Sequence, residues 1–228
     1  MKILVMIPAY NEELNIVRVV DELINQYPQY DYVVINDGSK DRTADICREH
    51  HYNLIDLPIN LGLSGAVMAG MRYALQNHYD AAIQFDGDGQ HRPEYIEQMA
   101  KELAEGNAQI AIGSRFVTEK KPKSLRMLGS NVISTMIRIS SGFKLNDPTS
   151  GMRMFSKDVI KEFALNINYG PEPDTISYLI KKGIKVKEVQ VHMDERIAGE
   201  SYLNLSRSMR YMILMSFSIV FIQKFRKR

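Results

Sequence analysis

Short apolar runs alternate with amphipathic stretches along the first half of the chain. Lys2–Ile7 reads as a buried strand, and Glu12–Gln26 as a helix with Leu14, Val17, Val20, Leu23 and Ile24 on one face. Tyr32–Asn36 is a second apolar strand, and Ser39 and Asp41 stand where a helix running through Cys47 needs an N-cap. Asn53–Leu57 predicts a third strand, Leu63–Asn77 a helix, Asp80–Phe85 a fourth strand and Pro93–Ala104 a helix with proline in its first turn. Gln109–Ile112 is a fifth strand. Beyond Arg115 the alternation weakens: 119–147 is basic and either irregular or helical, Met152–Phe155 reads as a short strand, Asp174–Lys182 as a helix ending at Gly183, and Lys185–Val191 as an alternating strand.

Strands separated by helices of this length predict an α/β fold, a mostly parallel sheet covered on both faces. Ligands of such sheets bind at the carboxyl ends of the strands. The segments to read for chemistry are therefore Pro8–Glu12, Asn36–Ser39, Asp86–Gln90 and Gly113–Arg115. All are polar or glycine-containing, and three carry carboxylates.

Charge changes this picture more than composition does. The 228 residues are 45% apolar and 25% charged, ordinary for a chain that buries a full core. A single cysteine excludes a disulfide framework and a multi-cysteine zinc site, and the N-terminal apolar run is too short for a signal peptide, so a reducing, cytoplasmic setting is expected. The overall charge of +2 is a cancellation: residues 1–114 carry net −9, 115–161 net +7, 162–202 net −2 and 203–228 net +6. An acidic first half is joined to a basic middle and a basic tail.

Asp86-Gly87-Asp88 follows an apolar strand and is the sharpest chemical signal. Two carboxylates one residue apart at a strand end can share one hard divalent cation, Mg²⁺ or Mn²⁺, whose other ligands are commonly substrate phosphates. Gln90 could add an oxygen, and a solvated turn is the competing reading. Asp37, at the end of the second strand, suits a nucleoside base or ribose hydroxyl, with helix capping as the alternative. No P-loop and no dinucleotide-binding glycine fingerprint is present, and the five histidines show no metal spacing and read as surface or structural residues.

These segments, with Asn60-Leu61-Gly62, Gly113-Ser114-Arg115-Phe116 and Asp147-Pro148-Thr149-Ser150-Gly151-Met152-Arg153, resemble in order and content the motifs of family 2 glycosyltransferases. The likeness is greatest to the branch of dolichyl-phosphate mannosyltransferases and bacterial polyprenyl-phosphate hexose synthases, and it spans roughly residues 2–202. It implies a GT-A fold, a nucleotide-sugar donor, a Mg²⁺ or Mn²⁺ ion and inversion at the anomeric carbon. It also implies that Pro8, Tyr10, Glu12, Asp37 and Gly62 surround the nucleotide and that Asp86, Asp88 and Gln90 surround the metal and diphosphate. Gly87 would permit close approach, and Arg115 would face the donor or acceptor phosphate.

On the acceptor side the resemblance implies that Arg126, Asn131 and Arg153 grip a lipid phosphate. Arg196 and Ser201 would join them in an Arg-x-x-Gly-x-Ser element, followed here by Tyr202 where a lysine is often found. Glu172 and Asp174 occupy the region of the catalytic carboxylate. A lipid monophosphate is already largely ionised, with a second pKa of ~6, so either residue would orient the acceptor without deprotonating it.

Tyr211–Ile222 is an almost unbroken apolar run flanked by Arg207, Arg210, Lys224, Arg226, Lys227 and Arg228. It falls short of the ~20 residues that span a bilayer and predicts an amphipathic helix lying on an anionic membrane surface; burial in an oligomer is the competing reading. The expected organisation is a catalytic domain over residues 1–202 and a membrane-associating tail over 203–228. The expected protein is a peripheral enzyme on the cytoplasmic face of the cell membrane, helped by a small integral membrane partner or self-association, with no nucleic-acid partner. It would move a hexose, from UDP in preference to GDP, to polyprenyl (undecaprenyl) phosphate for cell-surface polysaccharide. Transfer to a saccharide hydroxyl and a non-catalytic nucleotide-sugar scaffold are the alternatives.

Overall fold

The structure is a computed structural model that describes residues 1–167, 169–195 and 205–222. The first half follows the apolar pattern closely. β1 (Ile3–Ala9), α1 (Ile16–Gln26), β2 (Asp31–Asn36), α2 (Thr43–Glu49), β3 (Leu54–Asp56), α3 (Gly62–Gln76), β4 (Ala81–Gln84), α4 (Ile96–Ala104, entered through a 3-10 turn at Pro93–Tyr95) and β5 (Ile110–Ser114) succeed one another. α5 (Leu125–Ser141), β6 (Arg153–Ser156), α6 (Lys157–Leu165), α7 (Pro173–Lys181), β7 (Val186–Gln190) and α8 (Leu205–Val220) follow.

The seven strands form one sheet in the order β3-β2-β1-β4-β6-β5-β7. All pairings are parallel except those of β6, which runs antiparallel to both β4 and β5. β5 leaves the sheet at the rim where ligands bind, and the chain re-enters from that same rim after α5, so β6 has to run backwards. One face of the sheet packs Ile3, Val5, Ile7 and Ile83 against α1, α2 and α4; the other packs Leu4, Met6, Val33 and Ile35 against α3 and, further along, α5 to α8.

The structure corrects parts of the sequence reading. α1 starts at Ile16, four residues later than its amphipathic pattern suggests, because Asn11 adopts a left-handed φ of 56° and residues 12–15 form a loop. Its buried face is Ile16, Val19, Val20 and Leu23, while Leu14 (71% exposed) and Ile24 point to solvent. α6 was not expected, although Val159, Ile160 and Phe163 recur at helical spacing and are buried. Neither Ser39 nor Asp41 is the N-cap of α2, a place taken by Arg42 without a side-chain cap bond; Asp41, one residue earlier, accepts from Thr43 N–H (2.9 Å), and Ser39 accepts from Asn11 N–H (2.9 Å). Cys47 lies in the core, where burial pushes its thiol up to about 11, as suits an inert packing residue.

α8 lies against α5 and α7, burying Ile219. Gly129 on α5 leaves the groove in which Met212 lies: a Cβ there would fall 1.4 Å from the Met212 sulfur. Ile213, Leu214 and Phe217 on the opposite side of α8 are exposed, as are Leu128, Val132 and Ile139 on α5. Among the described residues no helix is long and apolar enough to cross a membrane.

Candidate active site

The strand-end rim is built first from β1, β2 and β4. Asp37 follows β2 and is 3% exposed; its Oδ1 accepts the Leu61 N–H (2.7 Å) at the start of α3. Burial raises the Asp37 carboxyl above its ordinary range, and the Leu61 and Gly62 amides pull it back. The neighbouring Gly38 has φ 63°, and a Cβ on it would fall 2.6 Å from the Asn60 nitrogen, so only glycine allows the two loops to close on Asp37. Asp37 therefore anchors the α3 N-terminus with one oxygen. Gly62 opens α3 at φ 75°, its N–H donating to Asn60 Oδ1 (3.2 Å).

On β1, Pro8 is buried in register with Ile35, and Tyr10 is half-buried at the strand's end. Glu12 is buried: its N–H donates to Thr43 Oγ1 (2.8 Å), and its Oε2 accepts from the Asn15 side chain (2.7 Å). The first of these bonds fastens the loop to the start of α2, and the second closes the loop on itself.

The Asp86–Gln90 loop hangs from β4. Asp86 is partly exposed; its Oδ1 accepts from Gln84 Nε2 (3.1 Å), and its own N–H donates to Nδ1 of His91 (2.9 Å). His91, one of the histidines read as surface or structural, is buried edge-on against Phe85 and folds this loop. Asp88 Oδ1 accepts the Gln90 N–H (3.1 Å), a local turn that holds the carboxylate at the rim. Gly87 packs on β1, where a Cβ would lie 3.2 Å from the Pro8 carbonyl oxygen, and Gly151 leaves room for Asp86, whose Oδ2 would lie 2.6 Å from a Cβ there. Gln90 is turned to the segment after β7: its Nε2 donates to the Asp194 carbonyl (3.3 Å), and its carbonyl accepts the Asp194 N–H (2.9 Å). Arg92 grips Asp194 from the other side and holds that carboxyl below the usual range.

The donor set fits a hard divalent ion. Asp86 and Asp88 present carboxylate oxygens, and among the described residues no group of three or more His, Cys, Asp or Glu side chains could hold a metal ion alone. Such an ion would complete its shell with diphosphate and water oxygens, as Mg²⁺ and Mn²⁺ commonly do.

Past β5 the rim is held by side chains from distant segments. Arg115 donates from Nε and Nη2 to the two oxygens of Asp147 (2.7 and 2.9 Å), whose side chain is fully buried. Two guanidinium nitrogens expected to face a phosphate are thus engaged within the protein. The Asn146 and Asp147 amides in turn donate to Glu188 (both 2.8 Å). Lys121 reaches Asn131 Oδ1 (2.8 Å), and burial lowers its ammonium pKa. Lys121, Asn131, Arg138 and Lys144 line a cavity of about 370 Å³.

Arg153 lies on β6 in register with Gln84, 5% exposed, its Nη2 donating to the Pro148 carbonyl (2.8 Å); its Nε has no hydrogen-bond partner among the described residues. Glu172 and Asp174 start α7. The side chain of Arg126 and all of Arg196 and Ser201 lie outside the described residues. Sequence reasoning missed Asp147, Tyr211 and Ser218 as partners of site residues. Only Asp147 lay in a recognised motif.

Comparison with known proteins shows the family and the fold. Residues 4–163 match the family described as Glycosyl transferase family 2. The chain is 30% identical over 217 residues (90% of it, 88% of the relative) to an undecaprenyl-phosphate mannosyltransferase of Micrococcus luteus. It is 28% identical over 214 residues (88% and 80%) to a polyprenol monophosphomannose synthase of Mycolicibacterium smegmatis. In structure it resembles glucosyl-3-phosphoglycerate synthase from Mycobacterium tuberculosis, with TM-scores of 0.73 for the complex with phosphoglyceric acid and 0.70 for that with Mn²⁺, UDP and glucosyl-3-phosphoglycerate. Each of these comparisons has 17% identity and covers 96% of this chain and 79% of the other. With its sheet order, strand-end carboxylates and matched length, the chain belongs to glycosyltransferase family 2 and is a glycosyltransferase of GT-A fold.

Proposed function

We propose that this enzyme transfers a hexose from a nucleoside diphosphate, UDP in preference to GDP, to a polyprenyl monophosphate such as undecaprenyl phosphate. The observation that carries the acceptor is the relatives' names: proteins matched along 90% and 88% of this chain act on undecaprenyl phosphate or make a polyprenol monophosphomannose. The neighbour crystallised with Mn²⁺ and UDP supports the donor and the metal.

In this reading the acceptor phosphate oxygen attacks the anomeric carbon, the bond from that carbon to the diphosphate oxygen breaks, and configuration inverts. A Mg²⁺ or Mn²⁺ ion on Asp86 and Asp88 would offset the charge gained by the leaving diphosphate. Asp37, Tyr10 and Pro8 form the nucleoside side of the rim, with the α3 N-terminus beside them. The acceptor phosphate, ionised near neutral pH, needs no general base. It needs cations, and the buried Arg153, with an unpartnered Nε, supports an anion site on that side, to which the resemblance in sequence would add Arg126, Asn131, Arg196 and Ser201. Glu172 and Asp174 orient groups at the acceptor side.

The exposed apolar residues of α5 and α8 support a peripheral position on the membrane that holds the lipid, at its cytoplasmic face. The test is transfer by the purified full chain with polyprenyl phosphate in vesicles, labelled UDP- and GDP-hexoses, and Mg²⁺, Mn²⁺ or chelator. The expected result is a chloroform-soluble labelled product that requires the metal. Label found only in a water-soluble glycoside would overturn the acceptor assignment.

A further inference from the structure

Three helices from distant parts of the chain meet at Glu172. This residue precedes α7, and its Oε1 accepts from the Ser64 hydroxyl in the first turn of α3 (3.1 Å). Its Oε2 accepts a short hydrogen bond from the hydroxyl of Tyr211 on α8. Gly170 makes the junction with α3 close: a Cβ there would stand 2.3 Å from Ser64 Cβ. Two residues on, the buried Asp174 accepts from the Ser218 hydroxyl through Oδ2 (2.6 Å). Tyr211 and Ser218 are seven residues apart, about two helical turns, and so share one face of α8.

Covering the buried Asp174 and the partly buried Glu172 with a helix is costly, and apolar contacts such as that of Ile219 already hold α8 to the body. Seating the helix therefore does not require hydroxyls aimed at Glu172 and Asp174. The same α3 turn begins where Leu61 holds Asp37, so Glu172 adjoins the nucleoside side of the rim. Arg153 bears electrostatically on Tyr211 from the β6 side. Burial and the Glu172 charge push the phenol well above its ordinary value, so Tyr211 stays neutral and remains a donor through the physiological range.

We propose that Tyr211 is a positioning residue of the transferase site, its hydroxyl fixing the Glu172 carboxylate against the first turn of α3, so that α8 completes the site. The proposal rests on the reading of Glu172 as a group that orients the acceptor side.

The test compares the full-length wild type with Tyr211→Phe, which keeps the ring, and with Ser64→Ala, which removes the other hydroxyl on Glu172 without touching α8. Glu172→Gln, the Tyr211→Phe/Glu172→Gln double variant and Ser216→Ala complete the set. Among the described residues Ser216 bonds within its own helix, to the Met212 carbonyl, and serves as the control on α8. Turnover is read on whichever acceptor the wild type uses, polyprenyl phosphate or a saccharide, beside thermal unfolding.

The expected result is a fall in kcat of about tenfold for Tyr211→Phe and for Ser64→Ala, with donor KM nearly constant and Ser216→Ala unchanged. The double variant should be no worse than Glu172→Gln alone, because both changes act through one carboxylate. A Tyr211→Phe turnover within twofold of wild type, or losses that multiply in the double variant, would overturn the proposal. A wild type active only on saccharide would overturn the lipid acceptor instead, and the Tyr211 comparison would still be read on that acceptor.

Discussion

The two sides of the strand-end rim hold their carboxylates by different means. On the β1, β2 and β4 side most partners are close in the chain: Asp41 and Asp88 accept from amides two residues on, Asp86 and Glu12 from side chains two and three residues away, and only Asp37 reaches further, to the Leu61 amide. On the β5 to α8 side, Asp147, Glu172 and Asp174 accept from the side chains of Arg115, Ser64, Tyr211 and Ser218, 32 to 108 residues away, with the Arg115 and Thr175 amides adding one bond each to Asp147 and Asp174. A carboxylate held by its own turn forms wherever that turn forms. One held by distant side chains exists only once the whole fold is assembled. Carboxylates held by their own turns, as Asp88 is, should therefore be lost with little structural cost while chemistry is lost, and those held across the fold should cost structure as well.

The largest expected effect is on the second side. Asp147→Ala removes the partner of two Arg115 nitrogens at a fully buried position and should cost about 3 kcal/mol of stability, measured by denaturant unfolding. A loss below about 1 kcal/mol would mean that Arg115 finds solvent or another partner, and the contrast between the two sides would weaken. Next, Asp88→Ala should lower transfer by two orders of magnitude or more, about 2.7 kcal/mol or above, with the unfolding midpoint nearly unchanged. A folded variant with near-normal activity would break the donor-side assignment.

A smaller effect is expected on the outer surface of α8. Phe217, 54% exposed, should lose on the order of 1 kcal/mol of affinity for anionic vesicles as Phe217→Ser, read by co-sedimentation. Unchanged sedimentation would remove this face from the membrane reading. The smallest effect lies at the seam between the two sides, where Lys187 of β7 meets Glu102 of α4 at 2.6 Å. Lys187 holds the Glu102 carboxyl below its ordinary range, so the pair stabilises the fold at neutral pH and fades as pH falls through and below that range. Lys187→Met should cost under about 1 kcal/mol at pH 7, with the difference from wild type vanishing in acid.

The same contrast explains what could be read before folding. β1 to β5 and their helices were legible because buried parallel strands are continuous apolar runs and each helix has a polar side. The paired Asp86 and Asp88 were legible because strand, turn and carboxylates are contiguous. The late start of α1 and the exposure of Leu14 were not, because Glu12 and Asn15 hydrogen-bond in place of a first turn and Thr43 fastens them from outside. His91 is one of five scattered histidines in the sequence, and only the fold brings its ring nitrogen to the Asp86 amide. The backward run of β6 left no mark in composition, since strand direction is set by where the chain re-enters the sheet.

The amino-acid sequence by itself determined the α/β class, the strand-end loops, the carboxylate pair and the division into acidic and basic segments, because each depends on residues close together in the chain. Only the tertiary structure decided that Arg115 is bound by Asp147, that Asp37 anchors α3, and that Tyr211 and Ser218 close over Glu172 and Asp174. Those contacts join residues dozens of positions apart. Which polar group is left for a substrate depends on which partners the assembled fold has already supplied.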